Sequence, residues 1–246
     1  MSPMDEFYKA KAANMHALGR DSDLCAVTRD WFARASKHRY SYHFSWLGVP
    51  IIQFPQDLVA LQEVIWKVRP DCIIETGVAH GGSLIFYASL LAAMGSDARV
   101  IGIDIEIRPH NREAIEEHLL SSRIDLIVGS STVTSTFDAV VAKAGGSTNP
   151  LVILDSNHAY AHVSAELDLY SKLIRKDSYL VVLDTVVDDM PQSFSTDRPW
   201  GPNNGPKRAV REFLGRNDRF VIDEDYNSKL LITVAPDGYL RCVKNP

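Results

Sequence analysis

The sequence predicts an α/β protein in which a doubly wound, mostly parallel sheet ends in an antiparallel C-terminal strand and follows an N-terminal helical cap. Three observations predict this fold. Short apolar runs alternate with helical stretches through the middle of the chain. One run ends in a glycine-rich turn, which is typical of a strand that leads into a ligand-binding helix. The last apolar runs are separated by short polar segments, which favours a terminal hairpin.

The N-terminal part is predicted to be a cap and lead-in over residues 1–56, followed by one larger domain over residues 57–246. Residues 1 to about 40 are polar and show short, broken helical patterns. The segment Tyr42–Pro55 carries aromatics, a glycine and prolines, which indicates a lead-in and not a separate domain. From Asp57, a candidate N-cap or first-turn acid, apolar residues recur at helical spacing until a proline ends the helix.

Five apolar runs follow, and each is long enough for a buried strand. They are Cys72–Glu75, Val100–Asp104, Asp125–Val128, Leu151–Asp155 and Tyr179–Asp184. Helical stretches separate them, so the pattern predicts βαβ units and a parallel sheet. Near the end, Arg219–Asp223 and Lys229–Val234 are predicted to form the final hairpin with its antiparallel strand.

Composition and charge limit the partners that the protein can have. The 246 residues are 46% hydrophobic, which is enough for one large domain with a substantial core. Lys and Arg number 26 against 31 Asp and Glu, a formal charge of -5, and no basic run interleaves with aromatics. Nucleic acid and anionic membranes are therefore not expected as partners. The N-terminal cap is a candidate surface for homo-oligomer formation.

The chain shows no targeting or cross-linking signal. Its start lacks the basic and then apolar pattern of a secretory signal, and no apolar stretch approaches the length of a membrane span. The expected compartment is therefore the cytoplasm. The cysteines Cys25, Cys72 and Cys242 lie far apart without CxxC spacing, so neither a disulfide framework nor a thiolate zinc site is expected.

The glycine-rich turn after Cys72–Glu75 is the most informative segment. Gly77 suits the positive φ of a tight strand-to-helix turn that precedes a helix over Ser83–Met94. A dinucleotide fingerprint needs glycine where Ala79 stands. The spacing instead resembles motif I of class I S-adenosylmethionine-dependent methyltransferases, although a turn with small residues for packing alone would look similar. The candidate donor-binding residues here are Glu75, Thr76, Gly77, Gly81, Gly82 and Ser83.

Two further strand ends supply donor-site candidates. The run Val100–Asp104 ends in an acid about one βα unit after the glycine turn, as expected for a carboxylate that accepts ribose hydroxyls. Asp104 is the candidate and Glu106 its alternative, with helix capping as the structural explanation. Ser130 follows the next strand and is a candidate for the adenine edge, although any polar turn would give this signal.

The segment after Leu151–Asp155 carries the sharpest catalytic signal. Asp155 stands at a strand's carboxyl end, and His158 follows three residues later, close enough for both side chains to reach one pocket. A carboxylate there can bind a divalent metal or orient an acceptor, and a histidine can take a hydroxyl proton near neutral pH. A structural hydrogen-bonding histidine is the alternative, and it is the preferred interpretation of His162.

The segment Met190–Pro206 breaks the alternation of strands and helices. It contains four prolines, two glycines and the isolated Trp200, so regular structure is not expected. A loop of this length after a strand's carboxyl end is typical of a lid or an acceptor-binding loop, with an idle surface loop as the alternative.

Taken together, these motifs resemble the cephalosporin hydroxylase / rhamnosyl O-methyltransferase family over roughly residues 42–234. The segments that carry the resemblance are Trp46–Pro50, Ile73–Gly77, Gly81–Ser83, Ile101–Asp104, Leu154–His158 and Arg198–Pro202. The resemblance implies a class I methyltransferase, Rossmann-like fold over residues 57–246, S-adenosylmethionine as methyl donor, and often Mg²⁺ that chelates sugar or metabolite hydroxyls. It also implies that His158 acts as general base.

One departure from the family pattern affects the metal. The pattern usually offers two adjacent acids after the fifth strand, whereas this chain has Leu183 and then Asp184. Asp155 and Asp184 are the candidate metal ligands, with Asp188 or Asp189 as further candidates, because magnesium commonly keeps several waters. Without a metal, Asp155 is expected to orient His158 or the acceptor hydroxyl.

The resulting hypothesis is an S-adenosylmethionine-dependent O-methyltransferase acting on a hydroxyl of a glycosyl unit or a small biosynthetic product. His158 and Asp155 are its catalytic candidates, and Arg198 and Trp200 are expected to help enclose the acceptor. The alternative, favoured by Leu183, is a non-catalytic S-adenosylmethionine-binding component that supports a partner enzyme such as an oxygenase. A nicotinamide-dependent oxidoreductase is disfavoured by Ala79.

Overall fold

A computed structural model describes residues 2–194 and 196–245, and its centre is a mixed sheet. The strands are β1 (Phe44–Trp46), β2 (Val49–Ile51), β3 (Cys72–Thr76), β4 (Arg99–Asp104), β5 (Ile124–Val128), β6 (Pro150–Leu154), β7 (Tyr179–Val182), β8 (Phe220–Ile222) and β9 (Tyr239–Cys242). The α-helices are α1 (Pro3–Arg20), α2 (Ser22–Ser36), α3 (Pro55–Val68), α4 (Gly82–Ala93), α5 (Pro109–Glu116), α6 (Thr134–Ala144), α7 (Tyr160–Tyr170), α8 (Pro206–Arg216) and α9 (Glu224–Lys229).

The main sheet confirms the predicted doubly wound architecture. Within the described ranges, seven strands pair in the order β5-β4-β3-β6-β7-β9-β8. The first five are parallel, whereas β9 runs antiparallel to both β7 and β8. The chain winds outward from β3 in one direction and returns through β6 in the other. The carboxyl ends of β3 and β6 therefore border the crevice in which open α/β sheets bind ligands.

The central strands read as unbroken apolar runs because helices cover both faces of the sheet. Ile73 and Leu151 belong to the core cluster that includes residues of α3 and α4. Ile74 and Val152 belong to a second cluster, with residues of α7 and α8. Burial on both faces explains why β3, β4, β6 and β7 were visible in the sequence as apolar runs, whereas the edge strand β5 is only partly buried.

The N-terminal cap differs from its prediction, because it forms two complete helices and not short pieces. Ser2 caps α1 through a capping box with Asp5, and Asp21 caps α2. No residue of α1 is buried, so this helix lies on the surface of the protein. Helix α1 packs against α9, where Gly19 lies against Ser228. Among the described residues, no helix combines the length and apolarity that a membrane span requires.

The β1–β2 hairpin attaches the lead-in to the sheet domain. A side chain at Gly82 would place its Cβ 2.3 Å from the carbonyl oxygen of Pro50, so β2 lies directly on the first turn of α4. Trp46 packs edge-on against Phe86, with 4.9 Å between ring centroids, and its Nε1 donates to Ser89 Oγ at 2.9 Å. The lead-in therefore covers the helix that follows the glycine turn.

Only one of the two strands predicted for the final hairpin forms. Arg219–Asp223 does contain a strand, β8, but its partner is β9 and not Lys229–Val234. Most of that second segment is irregular, because the buried carboxylate of Asp57 accepts hydrogen bonds from the Thr233 hydroxyl and the Val234 backbone N–H. Asp57 lies in the first turn of α3 as predicted, and it holds the C-terminal segment in place of a sheet partner.

Candidate active site

The glycine turn and the Asp155 loop touch at the crevice between β3 and β6. Gly77 has φ +94°, and its N–H donates to Ile103 O at 2.7 Å. A Cβ on Gly77 would lie 2.0 Å from the carbonyl oxygen of Asp155. The two segments also meet at Thr76, whose carbonyl oxygen accepts a hydrogen bond from the Asp155 N–H at 2.9 Å. Only glycine allows the two loops to approach this closely.

The donor-side candidates around this turn fall into two groups. Helix α4 begins after Gly81, whose φ is +89°, with Gly82 and Ser83 as its first residues. The N-terminus of this helix presents backbone N–H groups that suit an anion such as a carboxylate. Thr76 and Glu75 lie deeper. Thr76 is fully buried, and its Oγ1 has no hydrogen-bond partner in the part of the chain that the structure describes.

Glu75 is tied to helix α4. Its carboxylate is fully buried and accepts hydrogen bonds from Ser83 Oγ at 2.5 Å and Tyr87 OH at 2.8 Å. Burial raises the pKa of Glu75 to about 7, although both hydrogen bonds oppose the shift. Both carboxylate oxygens are engaged, so in this arrangement Glu75 braces the glycine turn against the helix.

Asp104 and Ser130 occupy the neighbouring strand ends. Asp104 Oδ2 accepts from the backbone N–H of Val78 at 2.8 Å and of Ala79 at 3.3 Å, and Oδ1 accepts from the N–H of Glu106 at 3.2 Å. The carboxylate expected to take ribose hydroxyls therefore holds the glycine turn itself. Ser130, after β5, is half-buried, and its Oγ lies 3.0 Å from the Thr132 hydroxyl.

The structure brings Asp155, His158 and Asp184 into one cluster. One potential ligand atom from each lies within 4.8 Å of the others. His158 Nε2 lies 3.0 Å from Asp184 Oδ2, and the two side chains are 20% and 30% exposed, so the cluster is open to a ligand. Asp184 has φ +53° at the start of a 3₁₀ turn over Thr185–Asp189, which directs the chain sharply after β7.

The electrostatics of the cluster are those of two carboxylates sharing one pocket. Burial raises the pKa of Asp155 well above its usual range, and the charges of Asp184 and Glu75 raise it further. For His158, burial lowers the pKa, but the charge and hydrogen bond of Asp184 outweigh burial and leave the pKa raised. The cluster therefore favours an added positive charge, held either as an imidazolium or as a bound cation.

Asp188 and Asp189 lie outside the cluster, although the sequence offered them as further ligands. Asp188 Oδ2 accepts from the backbone N–H of Lys207 at 2.9 Å, and the ammonium of Lys207 lies 2.5 Å from Asp189 Oδ2. Both acids therefore anchor the beginning of α8.

Sequence reasoning missed Gln53. This residue follows β2, is 3% exposed, and donates through Nε2 to Asp155 Oδ2 at 3.3 Å. Its Oε1 has no partner among the described residues. The only signal in the sequence was a polar residue inside the apolar stretch Ile51–Phe54. The lead-in thus contributes directly to the environment of Asp155.

A largely buried polar network holds the loop that contains Asp155 and His158. His162 Nε2 lies 3.0 Å from Ser131 Oγ, 3.1 Å from Ser156 Oγ and 3.4 Å from Glu166 Oε1. Glu166 is fully buried, and its Oε1 also accepts from Ser156 at 2.7 Å. His162 was expected to be structural, and its hydrogen bonds join the loop after β5 to the loop after β6. Glu166 gave no signal in the sequence.

A cavity of about 650 Å³ opens from this cluster toward the cap. Its floor includes Ser156, Asn157, His158 and Asp184. The cap contributes Phe32, Ser36, Arg39, Tyr40, Ser41 and Tyr42, and the proline-rich segment contributes Phe194, Arg198, Pro199 and Trp200. The Trp200 ring packs edge-on against the His158 imidazole, with 5.5 Å between centroids. None of the donor-side candidates lines this cavity within the described residues, so it faces the opposite side of the cluster.

A doubly wound sheet with a glycine turn at its switch point, next to a pocket with paired carboxylates and a histidine, defines a class I methyltransferase. The chain belongs to the Rhamnosyl O-methyltransferase/CmcI family, whose profile it matches over residues 38–243. It is therefore an O-methyltransferase of the S-adenosylmethionine-dependent class, as the sequence predicted.

Individual relatives agree with this assignment. The rhamnosyl O-methyltransferase of Mycobacterium leprae (strain TN) is 27% identical over 199 residues, which cover 80% of this chain and 82% of that protein. The fold is similar to CmcI solved with Mg and SAM, with a TM-score of 0.58 and 23% identity over 82% of this chain and 77% of that one. It is also similar to apo CalS11, a TDP-rhamnose 3'-O-methyltransferase, with a TM-score of 0.54 and 17% identity over 98% and 95% of the two chains.

Proposed function

We propose that this enzyme transfers the methyl group of S-adenosylmethionine to a hydroxyl of a glycosyl unit or a small biosynthetic product, with His158 as general base. One observation carries the proposal: His158 lies at the floor of a large cavity, and Asp155 of the same cluster contacts the glycine turn through its backbone. The rhamnosyl O-methyltransferases among its relatives support a sugar hydroxyl as the acceptor.

The donor is proposed to lie against the glycine turn. S-adenosylmethionine supplies an electrophilic methyl group on a sulfonium. The N-terminus of α4, with Gly81, Gly82 and Ser83, suits its carboxylate, and Asp104 suits its ribose hydroxyls. Glu75, Thr76 and Gly77 fix the turn, and Ser130 lies at the strand end expected for the adenine edge.

The residues present fit Mg²⁺. Asp155 and Asp184 supply the oxygen ligands that magnesium prefers. Burial, and after it the charge of Asp184, raises the pKa of Asp155, and a bound cation would offset both effects. Leu183, which is buried, supplies no ligand, so the remaining positions would be filled by water and acceptor oxygens. A bound Mg²⁺ would supply Lewis-acid polarisation of the acceptor hydroxyl.

The proposed chemical step is a nucleophilic displacement at the methyl carbon, which releases S-adenosylhomocysteine. His158 accepts the hydroxyl proton as the O–H bond breaks, and the acceptor oxygen forms a C–O bond as the methyl C–S bond breaks. Asp184 holds the imidazole through the bond at Nε2, and its negative charge favours the protonated product state of His158. Trp200 and the cap exclude water from the side of the cavity where the acceptor lies.

The second candidate is a non-catalytic component that binds S-adenosylmethionine and supports a partner enzyme such as an oxygenase. Leu183 in place of a second acid favours it. The open His158–Asp184 pair favours catalysis instead. Methyl transfer by the isolated chain would separate the two candidates.

The proposal is tested in two stages. Calorimetric titration with S-adenosylhomocysteine first measures donor binding in the presence of Mg²⁺ or of EDTA. Methyl-labelled donor is then incubated with a panel of free, phosphorylated and glycosidic sugars, using the wild type and His158→Ala. The expected result is saturable binding in both proteins and transfer by the wild type alone. Absence of binding, or full transfer by His158→Ala, would contradict the assignment.

A further inference from the structure

The cavity carries a charge pattern that the chemistry of methyl transfer does not require. Its floor holds the carboxylate of Asp184, close to that of Asp155, whereas Arg39 and Arg198 lie at its exposed walls. Arg39 comes from the cap, where it has φ +51° between α2 and the 3₁₀ turn Tyr40–His43. The two arginines thus reach one cavity from segments far apart in the chain.

Neither guanidinium has a hydrogen bond or an ion pair with another residue in the described ranges. Each guanidinium lies near an aromatic ring: Arg39 lies 5.9 Å from the ring centroid of Tyr42, and Arg198 lies 5.6 Å from that of Trp200. Arg198 is close enough to the floor for its charge to act on His158. Both fork-shaped donor groups are therefore available to a ligand inside the cavity.

Resting on the proposed function, we infer that the acceptor carries an oxyanion, a phosphate or a carboxylate, which Arg39 and Arg198 bind while the reacting hydroxyl faces His158. Planar guanidinium groups bind such oxyanions through paired hydrogen bonds. The carboxylates of Asp155 and Asp184 lie at the floor, so the guanidinium groups at the walls are the preferred place for the anionic group. The anion takes the arginine end, and the hydroxyl takes the floor.

The remaining walls suit the body of such a ligand. Tyr40, Tyr42 and Trp200 offer aromatic faces against which a sugar ring can stack. A cavity of about 650 Å³ lies within the range of small-ligand sites and accommodates a glycosyl unit together with its anionic group. The cap residue Arg39 thereby becomes a determinant of acceptor specificity.

Three probes distinguish the source of the oxyanion: rhamnose 1-phosphate, galacturonic acid, and uncharged methyl rhamnoside. Their dissociation constants are measured by Trp fluorescence on protein saturated with S-adenosylhomocysteine, at low and high salt. The variants are Arg39→Gln, Arg198→Gln and their double mutant, with Arg39→Lys to test rescue by charge alone. Arg34→Gln is the matched control, because Arg34 lies on α2, pairs with Asp30, and lies outside the cavity.

We expect at least one anionic probe to bind about 10-fold or more tightly than methyl rhamnoside, because a hydrogen bond to a charged group contributes that much. Each Arg→Gln variant is expected to lose a similar factor, the Lys variant to recover part of it, and Arg34→Gln to match the wild type. The phosphate-to-carboxylate ratio then identifies the source.

The inference is overturned if the methyl glycoside binds as tightly as both anions, if neither anion binds, or if Arg39→Gln and Arg198→Gln behave like Arg34→Gln. Methyl transfer to neutral acceptors with unchanged rates in these variants would overturn the inference and leave the proposed function standing. Failure of the wild type to bind S-adenosylhomocysteine would refute both.

Discussion

Replacement of Gly77 by alanine tests the contact on which the active-site geometry depends. The added Cβ would lie 2.0 Å from the Asp155 carbonyl oxygen, whereas real Cβ contacts essentially never fall below 3.0 Å, so the carbonyl must recede by about 1 Å. The positive φ costs about 1–2 kcal/mol and the forced displacement about 1–3 kcal/mol, a total of about 2–5 kcal/mol of unfolding free energy. A shift of about 1 Å in a catalytic segment can lower turnover about 100-fold.

Gly95→Ala provides the control for backbone strain. Gly95 also has a positive φ, +64°, but a Cβ there meets nothing within 4 Å. Urea unfolding of both variants, together with S-adenosylhomocysteine titration and turnover, separates the two costs. We expect Gly95→Ala to lose only the cost of the positive φ and to keep activity. If Gly77→Ala matched Gly95→Ala in stability, donor affinity and turnover, the contact between the two loops would have no importance.

Three further predictions concern the carboxylates and the base. His158→Ala should lower turnover by about 10²–10⁴-fold with unchanged S-adenosylhomocysteine affinity, because only proton transfer is lost; equal losses in both would contradict its role as base. Asp184→Asn should abolish any stimulation by Mg²⁺ over EDTA, whereas Asp189→Asn, whose carboxylate pairs with Lys207, should keep it; a retained response in Asp184→Asn would exclude Asp184 as a ligand. Burial raises the pKa of Asp57 to about 7, so the folded state holds its proton where the unfolded state has lost it, and unfolding free energy should fall as pH rises from about 4 to about 7. Asp57→Asn should make that part of the profile less steep in urea unfolding, although Glu75 and Asp155, whose pKa values are also raised, keep their share of the slope. An unchanged slope would contradict the raised pKa of Asp57.

The sheet could be predicted because its central strands are buried on both faces and therefore appear as apolar runs. The cap was not predicted as two complete helices, because its residues are mostly polar and α1 buries none of them. The segment Lys229–Val234 was wrongly predicted as a strand for a different reason. It is apolar enough for a strand, but the backbone N–H of Val234 donates to Asp57, a partner 177 positions away in the chain.

The site was predictable where function and position in the sheet coincide. Asp155 and Asp184 follow the carboxyl ends of the neighbouring strands β6 and β7, and His158 follows Asp155 at a short spacing, so the topology brings them together. Gln53 and Arg39 could not be found in this way, because each reaches the site from the lead-in or the cap. Tertiary packing of a segment that precedes the sheet leaves no periodic signal in the sequence.

The carboxylate of Asp104 orders the glycine turn from outside it. Its Oδ2 accepts two backbone N–H groups of the turn, and its Oδ1 accepts the N–H of Glu106. An ionised carboxylate offers about four acceptor positions, so one position remains beside these three hydrogen bonds. The ribose hydroxyl that we propose for Asp104 would therefore bind without breaking the hydrogen bonds that hold the turn, and the turn would keep its shape through donor binding and product release.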